Sequence, residues 1–340
     1  MKVLRMILFL AAVTLRLFAG EVFVVELNGV INPISASYLE NRLSQAEEMK
    51  AELVIIQLDT PGGLDSSMRK IVQKILDSKV PVITQVYPKG ARAASAGLFV
   101  ALASDYVAMA EGTNLGAAHP IYVNGGTVSE KITNDAAAYI RSLAEKRGKN
   151  TAWVEEAVRK SASITETEAV KLKVADTVSN TAEELIEKLD GKLLKRLKGE
   201  IKLKLKNAAV KKISMSGWES VLQVIGDPNI AYILLILGVF GLIFEFTAPG
   251  TLIPGIIGGV FIILSLYSMG SISVSFAGAA FLLLAFILFV LEIKTPAHGL
   301  IGIAGLLSLI LGSFLLFNPL APYFRISLPV VITMVLLTGS

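Results

Sequence analysis

The chain has 340 residues and a mean hydropathy of +0.63, yet of its 32 basic and 28 acidic side chains only Glu245, Glu292, Lys294 and Arg325 lie within residues 230–340. That step excludes a single soluble globular domain and indicates a soluble N-terminal part joined to a membrane part. The absence of cysteine excludes disulfides, thiolate zinc sites and a cysteine nucleophile, two histidines leave little room for a histidine-rich metal centre, and the net charge of +4 lacks interleaved aromatics, so no metal, cofactor or nucleic acid is expected.

In chain order, residues 1–20 read as a secretory signal peptide or N-terminal anchor. Lys2 and Arg5 precede the apolar run 6–15, and small Ala19 and Gly20 close the segment. Arg16, just after the apolar run, keeps the uncleaved anchor open. Residues 21–190 then alternate strand and helix. Strands are predicted at 22–27, 53–58, 80–86 and 106–110. Helices are predicted at 35–50, 65–76, 95–103, through most of 130–160, and at 165–172 and 181–189. Residues 88–94 read as a loop, and a turn-rich stretch runs to His119-Pro120. Such alternation gives an α/β layered domain.

Two turns in this domain carry chemistry. Pro61-Gly62-Gly63 joins a buried strand to a helix, where glycines let backbone N–H groups approach a bound oxygen. Alone it is an ordinary strand-to-helix turn. Gly90-Ala-Arg-Ala-Ala-Ser95-Ala-Gly97 also precedes a helix, and a serine there is usually an N-cap. Taken together, the turns offer a nucleophile, Ser95, with oxyanion donors at the amides of Gly62 or Gly63 and of Ala96. The base that would take the serine proton is either His119 or Lys131. By residue type His119 is the better base, because a solvated lysine is charged at neutral pH and serves only when burial favours its neutral form. Spacing leaves both open.

Residues 191–228 form a basic juxtamembrane strand or linker. Residues 192–212 hold nine Lys/Arg against Glu200 alone, and Ile201-Lys-Leu-Lys-Leu-Lys206 alternates as a half-buried strand with a solvated lysine face. Anionic lipid headgroups are a second reading of that face. Residues 229–340 form the membrane part, with apolar segments at 230–246, 252–269, 272–291, 299–317 and 326–337, four firm spans and a shorter fifth. The region repeats itself at an offset of 47. Glu245-Phe-Thr-Ala-Pro249 with Gly255 and Gly258 recurs as Glu292-Ile-Lys-Thr-Pro296 with Gly302 and Gly305. Each copy reads as a helical hairpin with small residues for close packing, and Glu245 and Glu292 are candidate lipid or partner contacts at the turns.

Asp59-Thr-Pro-Gly-Gly63, the Gly90–Gly97 turn, Gly112-Thr-Asn-Leu-Gly-Ala-Ala-His-Pro120 and Lys131-Ile-Thr-Asn134, in this order and followed by a membrane tail, resemble NfeD-type membrane-bound serine proteases of the Clp-protease/crotonase-like superfamily, relatives of signal peptide peptidase A. The resemblance runs from about residue 21 to 189 and resumes through the membrane region. It implies a Clp/crotonase-like α/β domain followed by an all-α polytopic membrane domain of four to five helices. It also implies a serine endopeptidase with Ser95 as nucleophile, Lys131 as general base and oxyanion donors at the Gly62–Gly63 turn and Ala96. His119, near the place of the Clp-type catalytic histidine, is the alternative base. Peptide substrates, a stomatin-like membrane partner, membrane lipids and a homo-oligomer of at least two chains are the implied partners. With an export signal, the protease domain of this multi-pass protein would be extracytoplasmic. Longer members carry an OB-like β-barrel after the last span, which these 340 residues do not include. The rival readings are a non-catalytic membrane organiser partnering a stomatin-like protein and, less readily behind an export signal, acyl-CoA chemistry.

Overall fold

A computed structural model describes residues 20–121, 129–247, 252–270, 275–295, 299–316 and 326–339. The expected signal segment (save Gly20), residues 122–128, and the turn prolines Pro249 and Pro296 lie outside the described residues. The chain divides into two compact units, the first closing at Ser216 and the second opening at Gly217.

The first unit is built on β1 (Glu21–Asn28), β2 (Leu53–Asp59), β3 (Val82–Val86), β5 (Tyr106–Met109), β8 (Thr177–Val178) and β11 (Ala209–Ile213). They form one sheet in the order β11-β1-β2-β3-β5-β8, with every pairing parallel. β2 is apolar on both faces, Leu53-Val-Ile-Ile56, because parallel strands are covered on both sides. Phe23, Val25, Val54, Ile56, Val82 and Val107 face one core, and Val22, Val24, Leu53, Ile55 and Ile83 the other. The first core is closed by α1 (Pro33–Glu48), α2 (Asp65–Asp77), α3 (Ala96–Ala103), α4 (Glu130–Arg147) and α5 (Thr151–Arg159). α1 starts where it does because Asn32 and Ser35 form a reciprocal capping box with Pro33 at the first position, and Gly148, at φ 64°, ends α4. α6 (Glu166–Lys171) follows, opened by a Thr165–Glu168 capping box. The second core is closed by α7 (Ala182–Leu189) and by Leu194, Leu203 and Leu205.

The basic segment expected as a strand or linker packs on this unit, and the strand expected at 201–206 ends at Lys202 although its burial alternation continues. β9 (Leu193–Arg196) and β10 (Gly199–Lys202) make a hairpin, and Leu203 and Leu205 are buried while Lys202, Lys204 and Lys206 are exposed. Arg196 pins the hairpin by donating to Asp105 and to the carbonyls of Ser78, Lys79 and Val80. The chain then adds β11 to the edge beside β1, and Tyr38 donates to the Ile213 carbonyl. Because β11 is parallel, it ends at the same edge as the β2 turn.

Besides β8, β9 and β11, three more short strands were not expected. β4 (Arg92–Ala94) lies in the predicted loop and β6 (Asn114–Gly116) in the turn-rich stretch. With β7 (Ser163–Thr165) they form a small sheet in the order β4-β6-β7. They were missed because three-residue strands are too short to display a hydrophobic period.

Among the described residues of the second unit, α8 (Gly217–Ile225) precedes five apolar helices: α9 (Pro228–Thr247), α10 (Ile253–Gly270), α11 (Phe276–Lys294), α12 (Leu300–Leu316) and α13 (Leu328–Gly339). Two of them, through Pro228–Glu245 and Phe276–Lys294, are long and apolar enough to cross a membrane, and the other three have shorter apolar stretches. The repeat is structural. A Cβ on Gly258 of α10 would lie 2.5 Å from the Gly238 carbonyl oxygen of α9, and one on Gly305 of α12 would lie 3.4 Å from the Ala285 carbonyl oxygen of α11, the positions 47 residues on. Glu245 accepts from the Leu252 amide (3.2 Å), and Glu292 accepts from Gly299 (2.7 Å) and Gly302 (2.9 Å). Each glutamate therefore caps the next helix of its own hairpin, where the helix dipole favours a carboxylate.

Candidate active site

The site forms at the C-terminal edge of the large sheet, where open parallel sheets generally carry their chemistry. After β2 the chain continues the pairing onto the small sheet. The Thr60 amide donates to the Arg92 carbonyl (2.8 Å), the Ala94 amide to the Thr60 carbonyl (3.1 Å), and the Arg92 amide to Asp59 Oδ1 (3.1 Å). These bonds hold β4 against the Asp59-Thr60 end and bring the two glycine-bearing turns together. A Cβ on Gly62 would lie 2.6 Å from Ser95 Cβ and 3.0 Å from Ser95 Oγ. Gly62 has φ +120°, so both its backbone and its neighbour require glycine. Gly63 is pressed equally close to the backbone of Ile31, where a Cβ would meet the carbonyl oxygen at 2.0 Å.

Ser95 sits in the N-cap position of α3, but its side chain makes no capping hydrogen bond. The commoner role of a serine at a helix start therefore does not apply here. Its backbone has φ 54° and ψ −116°, a conformation that costs an L-residue about 1–3 kcal/mol. The surroundings impose it. The Ser95 amide donates to the Gly116 carbonyl (2.9 Å), and its carbonyl accepts from the Leu98 amide (3.1 Å). Gly116, at φ +133°, is wedged against Ala162, whose carbonyl oxygen would be 2.3 Å from a Cβ. Ser95 itself is half-buried.

Of the amides expected to bind an oxyanion, that of Gly62 is taken by Thr60 Oγ1 at 3.0 Å. Among the described residues the amides of Gly63 and Ala96 have no acceptor. Both lie beside a helix start, since Gly63 precedes α2, which has no side-chain cap, and Ala96 opens α3. Thr60 was not singled out from sequence. Its signal is the local bonding of a threonine hydroxyl to the amide two residues on, which fixes a turn.

The two candidate bases are placed differently. His119 is half-buried, and its Nδ1 donates to the Val158 carbonyl at 2.8 Å. A carbonyl only accepts, so in the neutral imidazole this bond places the proton on Nδ1 and the lone pair on Nε2. Lys131 is exposed in the first turn of α4. Among the described residues neither side chain is hydrogen-bonded to Ser95. α4 is tied to the rest of the site by Arg69 of α2, which pairs with Asp65 (2.9 Å) and with Asp135 of α4 (2.5 Å) and lies 4.4 Å from the Tyr139 ring centre. Burial works against the Arg69 charge, but the two aspartates outweigh it and hold the guanidinium above its ordinary pKa. Half-burial raises the pKa of the Tyr139 phenol. On the far side of α4, Arg159 of α5 donates to Asn134 (2.8 Å). No group of three or more metal-ligating side chains occurs among the described residues.

A parallel α/β domain with a strained, uncapped serine between two unengaged amides is the framework of a serine hydrolase. The comparisons place it further. The NfeD1b N-terminal domain model matches residues 21–213 and the NfeD integral membrane domain model matches residues 229–340. Membrane-bound protease PH1510 of Pyrococcus horikoshii is 40% identical over 304 residues, 87% of this chain and 69% of its own length. Two solved structures of the 1510-N membrane-bound stomatin-specific protease are similar to the first unit. A lysine-to-alanine mutant in complex with a substrate peptide is 38% identical, with a TM-score of 0.59, over 61% of this chain and 98% of that one. A serine-to-alanine mutant is 40% identical, with a TM-score of 0.56, over 58% and 99%. The chain belongs to the NfeD family, with a parallel-sheet α/β domain and a helical membrane domain, and it is a serine-type endopeptidase.

Proposed function

We propose that the chain is a membrane-tethered endopeptidase in which Ser95 and Lys131 form the catalytic dyad. The observation that carries this reading is the strained Ser95, packed on Gly62, free of any capping bond and flanked by the unengaged amides of Gly63 and Ala96. Ser95 Oγ attacks the peptide carbonyl carbon while its proton passes to neutral Lys131. The oxyanion accepts from Gly63 and Ala96, the C–N bond breaks, and the leaving amine takes the proton from Lys131. Water, deprotonated by Lys131, then hydrolyses the acyl ester and restores Ser95. Lys131 is exposed in the single chain, where a bound peptide or a second protomer would cover it. The lysine-to-alanine relative bound to a substrate peptide supports a lysine in this role, and its stomatin specificity supports stomatin-like membrane proteins, cut in hydrophobic segments, as substrates and partners.

The same reading makes residues 1–20 an export signal or anchor and 21–190 the protease domain. Residues 191–228 lead into the membrane region 229–340, whose helices cross several times with the protease domain extracytoplasmic. Lys202, Lys204 and Lys206 face anionic headgroups, and at least two chains associate.

The test uses the full chain in detergent or vesicles, as wild type, Ser95→Ala, Lys131→Ala and His119→Ala. Hydrophobic peptides are supplied and cleavage is followed by mass spectrometry across pH. Cleavage lost in the serine and lysine variants but kept in His119→Ala is expected. Loss in His119→Ala with Lys131→Ala active moves the base to His119 Nε2, which the Val158 bond leaves available. A wild type that cuts nothing and resists a fluorophosphonate at Ser95 hands the role to the membrane-organiser reading.

A further inference from the structure

Helix α8 differs from the five helices that follow it. It is amphipathic, with Ile225 buried and Leu222 and Gln223 half-buried, while Trp218, Val221 and Val224 stand outward, 65%, 46% and 57% exposed. Their spacing of three residues sets them along one face of the helix. Nine residues make about 14 Å of helix, too short to cross a bilayer. Only Gly226 and Asp227 separate α8 from α9, whose residues Pro228–Glu245 are apolar enough to span. The end of α8 is thus held within two residues of a segment long and apolar enough to lie in hydrocarbon. Upstream, Lys211 and Lys212 are exposed, a charge that suits anionic headgroups.

We infer that α8 is an interfacial helix, lying in the boundary between headgroups and acyl chains with its Trp218–Val221–Val224 face against lipid. A tryptophan is suited to that layer because its ring is apolar while its indole N–H still needs a polar partner. A short helix with one broad apolar face gains by burying that face at the boundary without leaving backbone groups unsatisfied. The anchor is separate from the catalytic chemistry, so it stands or falls independently of the serine–lysine reading.

The molecule supplies its own probe. Trp218 and Trp153 are the two tryptophans, and Trp153 is 7% exposed in the α/β core. The full chain carrying Trp153→Phe is reconstituted in phosphatidylcholine/phosphatidylglycerol vesicles brominated either near the headgroup or near the acyl terminus. Trp218 emission should be quenched about twofold more by the shallow bromines than by the deep ones, and should be shielded from aqueous acrylamide. Quenching by neither lipid with full acrylamide access puts the face in water and overturns the inference. Shielding from both lipid and acrylamide means that protein, a second copy or another partner, covers it, which also overturns it. If Trp153→Phe does not fold, the difference between wild-type and Trp218→Phe spectra isolates the same signal.

Discussion

Ser95 is held by contacts that a single methyl group can break. An alanine at position 62 would bring a Cβ within 2.6 Å of Ser95 Cβ at a backbone φ of +120°. Gly62→Ala is therefore expected to cut kcat by about 100-fold, the order that a displacement of about 1 Å costs a positioned nucleophile. Labelling by a fluorophosphonate should fall in parallel. Thr60→Val acts on the other side of the turn, removing the acceptor of the Gly62 amide. The shape is kept but a buried N–H is orphaned, so a stability loss of about 1–3 kcal/mol is expected in urea unfolding. A loss confined to activity, with unfolding unchanged, would show that the Gly62 amide finds another partner. These dependences are only partly legible in the sequence. The glycines announce a special backbone, but which amide stays free depends on the Thr60 hydroxyl, and that appears only once the turn is folded.

At the scale of elements, α4 carries Lys131 and is tied to α2 by Arg69–Asp135, four residues further along the helix. The pair is substantially exposed, so breaking it should change stability by less than about 1 kcal/mol. Its effect should instead appear in turnover. Arg69→Ala and Asp135→Asn are each expected to lower kcat about three- to tenfold at little change in KM, and the double variant should be no worse than either single one. Fully additive losses would mean that the two side chains act separately. The membrane hairpins carry an analogous tie. Glu292→Ala removes the acceptor of two helix-start amides and is expected to destabilise its hairpin by about 1–2 kcal/mol, read as a lowered unfolding midpoint in detergent. Hydropathy and the 47-residue repeat revealed the hairpins. The small β4-β6-β7 sheet stayed hidden because its pairings are set by partners distant in sequence, and nothing in three residues marks them.

Across the first unit, strands and helices follow the alternation written in residues 21–190, and both turns are where the sequence put them. The half-buried alternation of Ile201–Lys206 was legible, but where residues 191–216 dock was not. It depends on Arg196 reaching three carbonyls and on β11 finding β1, neither of which leaves a periodic trace. A buried ion pair on the same side of the domain sets a pH dependence. Lys149 is 5% exposed and 2.5 Å from Asp176, and burial lowers its pKa despite that partner. The unfolded chain then binds more protons than the folded one between the lowered value and the ordinary one. Stability should accordingly rise with pH through that alkaline window, and Lys149→Met should flatten the rise. Urea midpoints measured from about pH 8 to 10 test it.

The direction of β11 has a mechanical consequence. Its last residue, Ile213, leaves the sheet at the edge that bears Ser95, and only Ser214, Met215 and Ser216 intervene before α8. Three residues of chain extend at most about 11 Å, so the connector that follows the first unit is a short leash. A short leash concentrates the active site on whatever shares its attachment point and withholds it from chains in bulk solution. Splicing about ten glycine and serine residues between Ser216 and Gly217 should therefore slow the cutting of a membrane-inserted substrate several-fold, while a soluble peptide is cut as before. Equal rates on the membrane substrate would show that reach plays no part in the choice of target.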